Sequence, residues 1–321
     1  MCSAFLYAVV AASIPNAYFR DRTNYITYAV DSVGIFANYE NWLVILFNEP
    51  LFLLINGALS YFFHADSVPY VFVFFIAFTL FFVVVKKSKN VLTASVAILL
   101  LIFTAQVFHL QLVILRQGIA TALFVWLVYY CWQTKKFYFF LPILGLIHSS
   151  FFIVTAMFYI DKLTTGYISQ RPTIRLAVQF IFGLVVSLLG LYIAAALGMR
   201  QASESHILGP VSVGGGNFIL WSIVLITLVS LSTRRLYSDP FYIVAMLGLC
   251  FYLALYFFSP ISGRIVGVFL PFCLVAITSS FSGRVLFIMF FVLIVNFFMF
   301  FGAIESNSLT DSGVRYLSSL F

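Results

Sequence analysis

The chain has 321 residues, 63% of them hydrophobic and only 8% charged, with a formal net charge of +7. A soluble domain carries about 25% charged residues, so seventeen bases and ten acids cannot cover a water-facing surface of this size. That excludes a soluble enzyme. The bases stand in scattered loop groups rather than on one polar face, which excludes a nucleic-acid partner. Lipid is the expected solvent, and the fold class is all-α: a polytopic transmembrane bundle of about ten spans, each needing about 20 apolar residues.

In chain order, apolar segments cover about 1–18, 42–63, 68–85, 91–109, 113–132, 137–160, 174–199, 217–233, 241–258, 265–281 and 285–304. Residues 1–321 read as a single integral membrane domain, with short outer loops at about 19–41, 200–216 and 259–264. The first segment lacks a basic leader, so it reads as a short span rather than a cleaved signal. Lys86, Lys87 and Lys89, then Lys135 and Lys136, then Arg234 and Arg235 mark cytoplasmic loops by the positive-inside effect. Segments 91–109 and 113–132 then form a hairpin, with His109 to Arg116 near the outer face. The bases Lys162, Arg171 and Arg175 conflict with simple alternation unless 137–160 enters and returns as two half-helices broken near Gly145 to His148. A plain crossing at 42–66 conflicts likewise. Broken elements at membrane depth need protein or water around them, so both conflicts point to a cavity. Cys2, Cys131, Cys250 and Cys273 show no paired spacing and read as small buried hydrophobes.

Ionisable residues beside apolar helices are expensive, and so are functional candidates. Arg116 sits between two apolar stretches, in a run where Gly118 and Ala122 form a small-xxx-small pair that admits a neighbouring helix. Arg264 follows a proline turn and lies inside the Gly263–Gly267 pair. Each arginine either snorkels to headgroups or grips an anion. Two guanidinium forks at one level suit a diphosphate. His148, in Ile147-His148-Ser149-Ser150, is either a hydrogen-bonded core group or one that orients a phosphate or moves a proton. Glu49, before Pro50, is either a helix-start acid or a general base. Arg20, Asp21, Asn24 and Tyr25 form a polar group after the first segment. His109 lies about two helical turns before Arg116, so a continuous helix would put both on one face.

These residues carry a resemblance. Arg20-Asp21-Arg22-Thr23-Asn24-Tyr25, Glu49-Pro50-Leu51-Phe52, Arg116-Gln117-Gly118-Ile119-Ala120, Lys135-Lys136, His148-Ser149-Ser150 and Ser262-Gly263-Arg264-Ile265 occur in the order of the EpsG/Wzy-type polysaccharide polymerases. The likeness covers about residues 15–275. It implies a GT-C-like glycosyltransferase of the bacterial cytoplasmic membrane, acting at the outer or periplasmic face without a metal or other cofactor. Donor and acceptor would be glycan repeat units on undecaprenyl diphosphate, and the product O-antigen, capsule or exopolysaccharide. Partners would be the bilayer and the chain-length regulator and flippase of the same pathway. It assigns His148, Glu49 and Asp21 to catalysis, and Arg116, Arg264, Arg20, Tyr25 and His109 to the substrate and its diphosphate. The chain departs from the family in its short first span and in lacking a large outer loop. The competing readings are a lipid-linked sugar flippase or transporter, which needs an internal repeat, and a sugar acyltransferase, which needs a histidine with an acid partner. His148 has none nearby in sequence. A purely structural subunit would not need isolated arginines.

Overall fold

A computed structural model of the chain describes residues 1–19, 21–39, 42–196, 215–231, 236–259 and 261–305. Arg20, the Arg234–Arg235 pair and most of the expected 200–216 loop lie outside the described residues. Among the described residues every regular element is helical.

Sixteen α-helices follow in order: α1 Cys2–Ala12, α2 Arg22–Val30, α3 Ser32–Ala37, α4 Trp42–Phe47, α5 Pro50–Ser60, α6 Val68–Lys87, α7 Val91–Phe103, α8 Ala105–Leu112, α9 Leu115–Cys131, α10 Lys135–Phe140, α11 Ser150–Leu163, α12 Pro172–Ala196, α13 Gly216–Leu231, α14 Pro240–Leu255, α15 Ser262–Thr278 and α16 Gly283–Glu305. Among the described residues, three helical stretches are long and apolar enough to cross a bilayer: Ala65–Lys87, Pro172–Gly190 and Gly283–Glu305. α7 and α8 qualify together as a fourth, bent by 70° at Thr104. Six further apolar helices are shorter, at 10–17 residues. The expected count of about ten spans, some of them broken or re-entrant, meets three clear candidates among the described residues, or four. The first segment is one that falls short. α1 ends at Ala12, where Ser13 turns its hydroxyl back onto the Val9 carbonyl and Pro15 follows. The expected outer loop at 19–41 holds α2 and α3 instead of irregular chain.

The chain divides into two compact units. The first comprises Met1–Asn38, Leu51–Trp126 and Ile277–Phe321. Its spine is α6. α1 runs antiparallel along it, with Tyr7 stacked on Phe81 and Asn16 bonded to the Asp66 carbonyl and the Tyr70 hydroxyl. Gln111 holds the α7–α8 bend: its amide donates to the Leu101 and Val107 carbonyls and accepts from the Tyr7 hydroxyl. Gly118 brings α9 against α8, since a Cβ there would stand 2.4 Å from the Leu110 carbonyl oxygen and 2.6 Å from Ile76. The close approach expected at Gly118 is therefore present. A Cβ on Gly263, by contrast, would meet nothing within 4 Å.

The second unit comprises Tyr39–Pro50 and Leu127–Ala276. α14 is buried along almost its whole length, which explains why it is apolar on every side. α12 lies on it where Gly183 faces Ala254 and the Phe251 carbonyl. α11 and α12 are joined by a bidentate pair, Arg175 to Asp161 at 2.8 and 2.7 Å, so one of the three bases that disturbed the expected topology is neutralised by an acid.

Candidate functional site

Two corners of the chain, one in each unit, gather the candidate residues. In the second unit the corner is made by two helix breaks. α4 stops at Phe47, and Pro50 opens α5 with the fixed φ that suits a first helical turn. A residue before proline is excluded from the ordinary helical region, and Glu49 takes φ 63°, which side chains other than glycine rarely adopt. The other break separates α10 from α11. Pro142 starts a 3₁₀ turn ending at Leu146, and His148 and Ser149 lie in the short link before α11. The break falls where the sequence places it, near Gly145 to His148.

The two breaks meet. Glu49 Oε1 lies 2.5 Å from His148 Nδ1, 3.2 Å from the Ser149 backbone N–H and 3.5 Å from the Ser149 hydroxyl. Both side chains are buried. One carboxylate oxygen thus takes up to three donors beside the N-terminus of α11, where a negative charge is favoured. In the neutral imidazole this fixes the proton on Nδ1 and leaves the Nε2 lone pair available. Nε2 is buried and has no hydrogen-bond partner. The acid that His148 lacks in sequence is therefore supplied from 99 positions away. Glu49 acts on His148 rather than simply opening α5. Ser149, quoted above only within the run His148-Ser149-Ser150, belongs to the same group. Arg264, in the first turn of α15, is half-buried in this unit.

In the first unit the corner is built by α2 and the turn between α8 and α9. α2 buries Arg22, Tyr25 and Ala29, a helical stripe of spacing three and four. Arg116 hydrogen-bonds the Tyr25 hydroxyl and lies 5.8 Å over the Tyr28 ring. Phe52 closes the aromatic group against Tyr25 and Tyr28. Burial pushes the Tyr25 hydroxyl up to about 12, with Arg116 pulling the other way, so the phenol keeps its proton at neutral pH. Asp21, at the start of α2, is within electrostatic reach of Tyr25 and His109. His109 is half-buried in the last turn of α8. It does not share a continuous helical face with Arg116, because α8 ends at Leu112 and the Val113 and Ile114 amides both turn back to the His109 carbonyl.

The chain thus brings together Asp21, Tyr25, His109 and Arg116 in one unit, and Glu49 and His148 in the other. Arg116 and Arg264 belong to different units. Sequence reasoning quoted Arg22 only as part of a polar run, yet it is fully buried. Its spacing of three from Tyr25 is the signal that could have exposed it. Comparison with curated proteins gives no match, and comparison with solved structures gives none. The family comparison does: the EpsG family pattern covers residues 4–318, nearly the whole chain. This membrane protein belongs to the EpsG family, that of the Wzy/EpsG-type polysaccharide polymerases.

Proposed function

We propose that this protein polymerises undecaprenyl-diphosphate-linked oligosaccharide repeat units at the outer face of a bacterial cytoplasmic membrane. It would be held there by about ten crossings, several of them broken. The observation that carries this reading is the buried Glu49–His148 pair with its unpartnered Nε2. That arrangement is a general base with its orienting acid. His148 Nε2 takes the proton of an acceptor sugar hydroxyl as its oxygen bonds to the anomeric carbon of the donor glycan. The bond from that carbon to the diphosphate breaks, and the diphosphate leaves with the electron pair. Glu49 stabilises the imidazolium that forms.

Donor and acceptor both carry a diphosphate, so Arg116 and Arg264 each have an anion to hold, through preorganised guanidinium groups in the role a metal would otherwise take. Tyr25, Asp21 and His109 are assigned to the surroundings of Arg116. Family membership supports this reading over a flippase. The same histidine–acid pair would serve a sugar acyltransferase, so the assay must separate the products. The chain-length regulator and flippase of the same pathway are the proposed partners.

Purified protein in proteoliposomes, given a lipid-diphosphate-linked repeat unit, should yield a ladder of oligomers on a gel. His148→Ala should abolish the ladder while leaving the protein monodisperse. Translocation without a ladder would support the flippase, and transfer of a labelled acyl group the acyltransferase. A wild-type ladder from His148→Ala would remove His148 from the reaction.

A further inference from the structure

Arg22 is the most deeply buried cation among the described residues, with no exposed surface. Two of its three guanidinium nitrogens are held. Nε donates to the Leu112 carbonyl at 2.7 Å, and Nη1 donates to Asn16 Oδ1 at 2.9 Å. The Phe19 ring lies 4.8 Å away. Nη2 has no partner and is closed off from solvent. Among the described residues no carboxylate pairs with it. Arg22 has no exposed surface for a ligand to meet, yet the chain carries a charge where an apolar side chain would avoid an unsatisfied donor.

What Arg22 holds explains its retention. Leu112 is the last residue of α8, and its carbonyl belongs to the orphan group at a helix end, where a cation is favoured. Four residues later comes Arg116, in the first turn of α9. One turn along α2 from Arg22, Tyr25 hydrogen-bonds Arg116, and Tyr28 lies beneath it. α2 therefore grips the Arg116 corner twice: through the backbone by Arg22, and through the side chain by the two tyrosines. Asn16 ties the same guanidinium to the start of α6 through the Asp66 carbonyl.

We infer that Arg22 is a positioning residue for Arg116: its guanidinium pins the α8–α9 turn so that Arg116 is pre-aligned for the diphosphate of a lipid-linked sugar. The inference rests on the proposed anion-binding role of Arg116. A lysine cannot reproduce it, because the two acceptors lie on two separate edges of a planar fork.

The test is a double-mutant cycle read by binding rather than by polymerisation. Wild-type protein, Arg22→Ala, Arg116→Ala and the double variant are purified in nanodiscs and titrated with radiolabelled farnesyl diphosphate. Arg116→Ala and Arg22→Ala should each weaken binding by about tenfold or more. The double variant should bind no more weakly than Arg116→Ala alone. Arg22→Lys should also weaken binding, and Asn16→Ala should do so to a smaller degree, both with wild-type melting profiles within a few degrees. These two variants carry the cycle if Arg22→Ala fails to fold. Losses that add in the double variant, or wild-type binding by Arg22→Lys, would overturn the positioning role. Unchanged binding by Arg116→Ala would instead overturn the role given to Arg116 itself.

Discussion

Glu49 pairs two features that rarely coincide: a φ of 63° and a buried carboxylate. A non-glycine residue held in the left-handed region costs about 1–3 kcal/mol. Pro50 accounts for the exclusion of the helical region but not for burying an acid there. The Glu49–His148 hydrogen bond accounts for the acid. Glu49→Gln keeps the side-chain shape and can still accept from Nδ1–H, but removes the charge that stabilises an imidazolium. Chain extension should therefore fall by about a hundredfold or more, while the melting temperature moves by only a few degrees. A ladder assay at saturating donor measures the first, and a thermal scan in detergent the second. Full activity in Glu49→Gln would leave His148 acting without its acid. Arg116, His148 and Glu49 were legible as candidates because each interrupts an apolar stretch. Their partners were not. Pairing Glu49 with His148 requires two chain breaks, remote in sequence, to fold onto each other. Arg22 was masked by polar neighbours that made it look solvated.

At the scale of helices, legibility followed the presence of breakers. Pro50 and Pro142 announce the interruptions at 48–49 and 141–149. The 70° bend at Thr104 has neither proline nor glycine. Gln111 supplies the Leu101 carbonyl with a hydrogen bond in place of one that the continuous helix would have made there. Small residues were read with mixed success, since sequence shows where a close approach is possible, not whether a neighbour arrives. Gly118 and Gly263 make the contrast measurable. At Gly118 a Cβ would meet a backbone carbonyl that cannot rotate away. Gly118→Ala should destabilise the protein by about 1–3 kcal/mol, lowering the melting temperature by several degrees. Gly263→Ala meets no atom within 4 Å and should be neutral, or stabilising by up to about 1 kcal/mol from helix propensity. Both are read by thermal unfolding in the same detergent. An equal response would mean that the α8–α9 approach is not tight.

For the molecule as a whole, composition sufficed to identify a lipid-solvated helical protein, because no arrangement of so few charges could face water. The number of crossings was not legible, since an apolar run does not reveal whether one helix or two broken ones fill it. The first unit nonetheless carries an internal ruler. α6 has 20 residues, about 30 Å of helix, which matches a hydrocarbon core. Phe62 precedes its beginning, and Asp66 and Tyr70 there hold Asn16, which holds Arg22, which holds Leu112. Its other end carries Lys86 and Lys87. α7 starts just beyond those lysines, and α8 finishes at Leu112, whose carbonyl Arg22 holds. By length and composition the bent pair is either one broken crossing or a re-entrant loop. On the proposed function the lysine end lies in the cytoplasm, as the positive-inside effect expects, and the Arg22–Arg116 corner at the outer side, where lipid-linked repeat units would be joined. In a cysteine-free background, a membrane-impermeant maleimide applied to intact spheroplasts should label Thr23→Cys and Phe62→Cys but not Ser88→Cys. Permeabilisation should expose Ser88→Cys. If Thr23→Cys and Ser88→Cys were instead protected together, the arginine corner would lie on the cytoplasmic side, and a reaction at the outer face could not use it.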